Sequence, residues 1–446
     1  MEESRKSTAL KYFRENKEYM EDRIQSGIEA NRKGWGKIRF VDTQGNPVTN
    51  VKVHLEQTSH DFRFGCNLFM LDELETEEKN AKFKELYPKL FNLATIPFYW
   101  ANLEPQPGLL RFTKDSPPSY RRPAPDLCVE YCKKHGIEAK LHCLVYDQWS
   151  PPWLPDDSRE VRRLLSRRME QIAERYKDDI PTMEVTNETL CNEFNLPDRK
   201  STPMFREPDM IEWSFAQARH YLPYTKLIIN EATPHVWGER FKYERSAYYL
   251  QIERALQKGT TIDSIGMQYH QFHTQENEEK EAKYLLDPVR IYKILDTYGK
   301  FNLPIQITEV TASAFSWEDE DEYVQAEMLR NLYRIWFSHP NMEAIIYWNM
   351  VDGYAAYAEP GDMTCGENKY HGGLLRFDFT PKPAWYMLDE LINKTWHTSE
   401  DFECGEQSAF KGFYGKYTVT ATVDGKTVAK EIHLQKGFDN EFTIQL

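Results

Sequence analysis

Two acidic residues stand at the ends of short apolar runs: Glu188 closes "MEVTNE" (183–188) and Glu309 lies in "PIQITEV" (304–310). A pair of carboxyl groups facing each other across a cleft suits the cleavage of a glycosidic bond. One must arrive protonated at the leaving oxygen; the other must meet the anomeric carbon as an anion. Asn187 precedes Glu188, and its amide suits a sugar 2-hydroxyl, a contact that strengthens at the transition state. Gln268 and His270 end the neighbouring run "SIGMQYH" (264–270) and are expected to donate hydrogen bonds to Glu309, holding it ionised as a nucleophile. Glu188, as the acid, then needs its pKa raised, in part by the negative field of Glu309. Taken singly, Glu188 is a solvated loop carboxylate by default, and "NET" reads equally as a glycosylation acceptor. The convergence of several polar strand ends tips the balance toward chemistry. A carboxyl gap of roughly 5 Å would mean retention of configuration, and roughly 6.5–9.5 Å inversion.

The elements that position these residues follow from hydrophobic periodicity. Strands are expected at 62–69, 93–98, 139–146, 183–188, 226–232, 264–270, 304–310 and 344–348, and helices at 76–90, 124–135, 157–176, 207–220, 241–257, 287–299, 319–338 and 383–394. Alternating β and α elements imply a parallel sheet, and eight such units fit a closed (β/α)8 TIM barrel, an α/β fold. A doubly wound sheet is disfavoured, since no G-x-G-x-x-G follows the first strand. In a barrel the chemistry gathers at the C-terminal strand ends. Those ends carry Tyr146 and Asp147, Asn187 and Glu188, Asn230 and Glu231, Gln268 and His270, Glu309, and Trp348. Trp149, Trp153 and Trp348 are candidate sugar platforms, with plain packing the alternative.

Residues 62–397 thus form the barrel. Residues 1–34 read as an amphipathic helix closed by Gly34, and "KIRFVDTQGNPVTNVKVHLEQ" as two strands around a turn at Gly45–Asn46–Pro47. "KYTVTATVDGKTVAKEIHL" is a hairpin turning at Asp424–Gly425, and "EFTIQL" adds a further strand. Residues 35–61 and 398–446 are therefore expected to share a small accessory β-sandwich, split in sequence. The 11 Trp and 26 Tyr suit a carbohydrate ligand, and the net charge of −14 argues against nucleic acid or an anionic membrane as partner. No stretch has the roughly 20 apolar residues a membrane span needs. Seven cysteines without C-x-x-C spacing read as buried free thiols, and no metal or cofactor is expected. The charged N-terminus lacks a signal-peptide core. A secreted, periplasmic or cell-surface protein whose leader has been removed and a cytoplasmic protein both remain open. A monomer acting on a polysaccharide or oligosaccharide is expected.

The motifs "LHCLVYDQWSPPW", "MEVTNE", "LIIN", "IDSIGMQYH", "LPIQITEV" and "PKPAWYMLDELI" occur in order and resemble glycoside hydrolase family 10, the retaining xylanase family with a (β/α)8 barrel. The resemblance implies Glu188 as acid/base and Glu309 as nucleophile. It also implies that His142, Asn187, Gln268, His270 and Trp348 line the −1 subsite. The chain departs from the family pattern where a Glu–Asn pair and a Lys would bind the −2 and −1 sugars; here stand Thr95, Ile96 and Tyr99. Tyr146 and Asp147 replace a Trp–His pair, and Ala356 a second Trp, with Tyr354 and Tyr357 nearby. The resemblance therefore implies an endo-acting β-1,4-xylanase with a rebuilt glycone pocket, cutting xylan or a decorated plant cell-wall β-glycan. Another β-glycoside as substrate, and a non-hydrolytic carbohydrate-binding protein on the same fold, are the alternatives.

Overall fold

After an N-terminal helical stretch come three strands, β1 (Lys33–Val41), β2 (Pro47–Val48) and β3 (Val51–His60), in the computed structural model, which describes residues 4–191, 202–239 and 241–446. The barrel follows as β4 (Arg63–Asn67), β5 (Leu93–Pro97), β6 (Glu138–His142), β7 (Thr182–Asn187), β8 (Lys226–Glu231), β9 (Ser264–His270), β10 (Ile305–Thr311) and β11 (Met342–Tyr347). Neighbours pair in parallel around the ring, and β11 closes on β4 with Ile345 opposite Phe64. This is the (β/α)8 barrel expected from the alternation. These strands are almost continuously buried, because helices cover the outside and side chains fill the inside.

Helix boundaries follow local chemistry. Asp157 accepts from the Arg159 and Glu160 amides at 2.8 and 3.1 Å and starts the helix Ser158–Tyr176. Thr76 caps Glu77–Leu90, Asp287 caps Pro288–Gly299, and Gly136 in the left-handed region ends Pro125–His135. The acidic run at 319–322 begins the helix Asp319–Ser338, as the dipole favours. Within it Glu322 is buried and accepts from both Nε and Nη2 of Arg376.

The chain ends in β12 (Ser399–Cys404), β13 (Ser408–Phe413), β14 (Gly415–Val423), β15 (Lys426–Leu434) and β16 (Glu441–Gln445). Two four-stranded sheets result, β13-β1-β16 with β2 on β1, and β12-β3-β14-β15. Ile38, Phe40, Val53, Leu55, Tyr417, Val419 and Leu434 share the core between them. The hairpin at Asp424–Gly425 forms as read, with Val423 opposite Lys426. The N-terminal hairpin does not. β1 and β3 lie in opposite sheets and only the two-residue β2 folds back on β1, so the turn crosses the sandwich. The N-terminal helix is also broken, into Arg5–Ala9, Lys11–Glu15 and Lys17–Asn31. Gly34 does not close it but sits in β1, where a Cβ would stand 2.5 Å from the Tyr414 ring. The seven cysteines are free thiols, six of them buried. Among the described residues no helix is long and apolar enough to cross a membrane.

Candidate active site

The C-terminal ends of β6 to β11 bring the expected residues together. β7 delivers Asn187, only 2% exposed and so no glycosylation acceptor, and then Glu188 in a left-handed conformation at φ 52°. A non-glycine residue held there costs on the order of 1–3 kcal/mol, so the surroundings must fix it. They do so through Glu231, whose carboxyl accepts from the amides of Leu190 (3.0 Å) and Ala232 (2.8 Å) and from the Thr189 hydroxyl (3.3 Å). Burial pushes Glu231 up to about 8, so this brace is a neutral acid at neutral pH.

Glu188 accepts from Gln268 Nε2 at 2.8 Å and from the Tyr146 hydroxyl at 2.6 Å. Tyr146 shares its single proton with Gln148 Oε1, at 2.7 Å. Glu309 accepts from Asn230 Nδ2 at 3.1 Å and lies 3.1 Å from His270 Nε2. This corrects the sequence expectation in one respect: Gln268 serves Glu188, and Asn230 takes its expected place at Glu309. The two carboxyl groups are linked through amides, since Asn187 Oδ1 accepts from Asn230 at 2.8 Å and from Gln268 at 3.3 Å. Gly266 makes this possible. A Cβ there would stand 2.5 Å from Asn230 Oδ1, the atom that accepts the Thr308 hydroxyl at 2.7 Å.

Electrostatics differ from the expectation too. Burial pushes Glu309 up to about 8; the positive charge of His142 pulls it back and the negative charges of Glu184 and Glu188 add to the rise. Desolvation thus falls on Glu309, the carboxyl that the sequence reading expects its donors to hold ionised. Burial lowers His270 to about 4, leaving a neutral imidazole whose Nδ1 meets the Thr311 hydroxyl at 2.9 Å. Beneath Glu309 lies a buried triad, Lys140–Glu184–His142, with Glu184 bonded to both cations. Burial alone would raise Glu184, but Lys140 and His142 hold it down to about 2. Burial likewise opposes the charge on His142, and Glu184 outweighs it, so its pKa is raised. His142 Nε2 lies 3.0 Å from the Tyr99 hydroxyl, within hydrogen-bond reach. His142, Glu184 and Glu309 offer atoms close enough to hold a cation, as do Cys191, Glu231 and His235. In the first group a Lys ammonium already occupies Glu184, a poor arrangement for a second cation.

Aromatic rings wall the mouth. Trp348 packs edge-on against Phe69 (5.1 Å), His142 (5.5 Å) and His270 (5.8 Å), and Tyr99 lies 5.1 Å from Trp149. Asp147 opens a short 3-10 turn to Trp149. Trp153 is packing rather than platform: its Nε1 donates to the Glu104 carbonyl at 2.9 Å and its ring abuts Trp100. Sequence reasoning puts Asn230 on the rim without giving it a partner, and leaves Lys140, Glu184 and the pair Arg121 and Arg122 out of the site. For Lys140 and Glu184 a signal existed, a charged residue in the middle of each of two strands.

A model of the family described as glycosyl hydrolase family 10 matches residues 66–390, nearly the whole barrel. Over 415 residues the chain is 24% identical to the anti-sigma-I factor RsgI6 of Acetivibrio thermocellus, a match covering 91% of this chain and 47% of that protein. The chain thus spans about half the length of that relative. It is 24% identical over 344 residues to endo-1,4-beta-xylanase B of Thermotoga neapolitana, covering 75% of this chain and 88% of the relative. Xylanase 10B of Thermotoga maritima superposes with a TM-score of 0.56 at 22% identity, over 75% of this chain and 96% of that one. Xylanase 10B of Thermotoga petrophila, solved with xylobiose, gives 0.57 at 22% identity, over 75% and 95%. At these identities the structures establish the barrel fold, and the family match does the rest: the chain belongs to glycosyl hydrolase family 10, the xylanase-like glycoside hydrolases.

Proposed function

We propose that the protein is a retaining, endo-acting β-glycanase that hydrolyses β-1,4-xylan or a related decorated β-glycan by double displacement. The observation that carries this reading is the pair Glu188 and Glu309, each held by its own donors and joined through Asn187, Asn230 and Gln268. Glu309, once ionised, attacks the anomeric carbon; Asn230 and neutral His270 each offer an N–H to keep its oxygens aimed. Glu188 protonates the leaving oxygen, then takes a proton from the water that releases the sugar. Tyr146 and Gln268 orient Glu188 for both steps. Asn187, with its oxygen committed to two amides, has its NH2 left for the 2-hydroxyl. Tyr99, His142 and Trp348 shape the −1 sugar site, and Asp147 stands at its edge. The named relatives include xylanases, and one neighbour was solved with xylobiose, which supports an oligosaccharide as ligand. A monomeric, exported enzyme acting on cell-wall glycan fits this reading.

The second reading is a non-hydrolytic glycan-binding protein. It is favoured by one fact: the relative matched over 91% of this chain is named as an anti-sigma factor. The test is a screen of wild type, Glu309→Ala and Glu188→Ala on xylan, arabinoxylan, mixed-linkage glucan and aryl β-xylobioside. Turnover by wild type that falls at least 1,000-fold in Glu309→Ala, in the range set by loss of a nucleophile, supports hydrolysis. Equal inactivity of all three, with binding intact, supports the second reading.

A further inference from the structure

The glycone side of the mouth holds an unusual charge. The segment between β5 and the helix Pro125–His135 is clamped by buried Arg111, which donates to the carbonyls of Asn102 (2.9 Å) and Pro117 (2.8 Å). It delivers Arg121 and Arg122, 5% and 7% exposed. The Arg122 guanidinium lies 4.0 Å from the Tyr99 ring centre, 4.8 Å from Trp149 and 5.2 Å from Phe69. It is therefore inside the aromatic wall, with Tyr99 between it and the His142–Glu309 end of the site. Its Nη1 donates to the Arg121 carbonyl at 2.8 Å, and its Nε is buried without a partner. Arg121 is fixed by neutral acceptors, the Tyr354 carbonyl and Asn349 Oδ1, and its Nε is also unpartnered. Among the described residues no carboxylate forms an ion pair with either guanidinium; Glu367 acts on Arg122 only through its field.

Two buried cations without a counter-ion are costly in a folded protein unless something supplies one. Ring faces stabilise the charge but leave the N–H donors unfilled. The group that fills the edge of a guanidinium with two parallel bonds is a carboxylate. The position matters too. Arg122 lies over Tyr99, which stands where the family pattern has a Lys, while Thr95 stands where it has a Glu. By that resemblance Thr95 stands at the position of an acid, while two buried guanidinium groups stand beside the aromatic wall, in a protein whose net charge is −14.

We propose that the glycone side of the cleft is a uronate site, in which Arg122, backed by Arg121, pairs with the carboxylate of an acidic sugar. The inference rests on the reading of the mouth as a glycan cleft and names the glycan: one with a uronic acid on the non-reducing side of the scissile bond. That acid can be a side chain on a neutral backbone or a backbone unit.

The experiment separates these sources with two ligand pairs. One is a xylo-oligosaccharide bearing glucuronic acid and the same compound with its carboxyl reduced to an alcohol; the other is an oligo-β-mannuronate and its reduced form. Wild type, Arg122→Gln and Arg122→Lys are compared by kcat/KM, and the same Arg122 changes in a Glu309→Gln background by calorimetric affinity. The expected result is a preference of about 10–100-fold for the acidic member of one pair, the range of one charge-assisted contact. That preference disappears in Arg122→Gln and survives in part in Arg122→Lys. Should Arg122→Gln not fold, the wild-type ratio and Arg122→Lys decide. Turnover that is indifferent to carboxyl reduction overturns the uronate site and leaves the hydrolase reading intact. Arg122-dependent binding of an acidic glycan without turnover upholds the site and overturns the hydrolase reading. A preference that persists in Arg122→Gln, or no binding of either acidic ligand, overturns the uronate site.

Discussion

At the scale of single residues, the site is a set of charges whose balance sets where it works. The Lys140–Glu184–His142 triad is fully buried, and breaking such a group by removing one partner costs about 3–5 kcal/mol, because the remaining charge has no solvent. Lys140→Met is expected to lower the unfolding free energy by that amount, measured by urea denaturation at pH 7. Glu184 has its folded pKa depressed to about 2, so the stability it contributes is present above its unfolded value near 4.5 and is lost as pH falls toward 2. Glu309 has the opposite sign. Its folded pKa is raised to about 8, so ionising it destabilises the fold as pH rises from 4.5 through 8. Glu309→Gln should therefore raise Tm relative to wild type at pH 8 and have little effect at pH 4. In the proposed double displacement only the Glu309 anion attacks, so the same raised value is expected to place the acid limb of kcat/KM near 8 in the free enzyme. Replacing His142, whose charge lowers Glu309, with Asn is expected to move that limb upward. An acid limb that stays put would contradict the coupling.

At the scale of elements, register decides what the carboxyl groups touch. Gly266 on β9 lets Asn230 on β8 lie flat between the strands, and a Cβ would strike its amide oxygen. Gly266→Ala is expected to cut kcat by at least 10-fold, the scale of a misplaced positioning group, with Tm within a few degrees of wild type. Loss of kcat without loss of fold is the diagnostic outcome. This level also shows what the sequence made legible. The eight barrel strands and the polar residues at their ends follow from where each apolar run stops, so Glu188, Glu309 and their neighbours were within reach. Hydrogen-bond partners were not. Gln268 was assigned to Glu309 because they sit on adjoining strands, and they are in fact opposite each other in the ladder. Yet the Gln268 amide turns toward β7, which pairing order alone does not reveal. Lys140 and Glu184 were readable as charged residues at interior strand positions. Arg121 and Arg122 were not, because a long connection carries no periodicity to say which way it folds. The N-terminal strands misled for a related reason: alternation gives a strand but not the sheet it joins.

At the scale of the whole molecule, barrel and sandwich meet through aromatic packing. Trp396, the last large residue before β12, stacks on Phe337 at 4.0 Å and on Phe64 at 5.6 Å, tying the chain's exit to the barrel floor. His60, on the strand that enters β4, adds edge contacts to Phe64, Phe337 and Phe413. Trp396→Ala is expected to cost about 3–5 kcal/mol and to lower Tm while leaving kcat near wild type, because the junction lies at the barrel end opposite the carboxyl groups. What the molecule as a whole does turns on one bond. Incubated with an activated fluoro-sugar β-glycoside, wild-type protein should gain the mass of one glycosyl unit per chain, and peptide mapping should place it on Glu309. A label on any other residue, or substrate turnover with no covalent adduct and inverted product, would contradict the double displacement at the centre of this account.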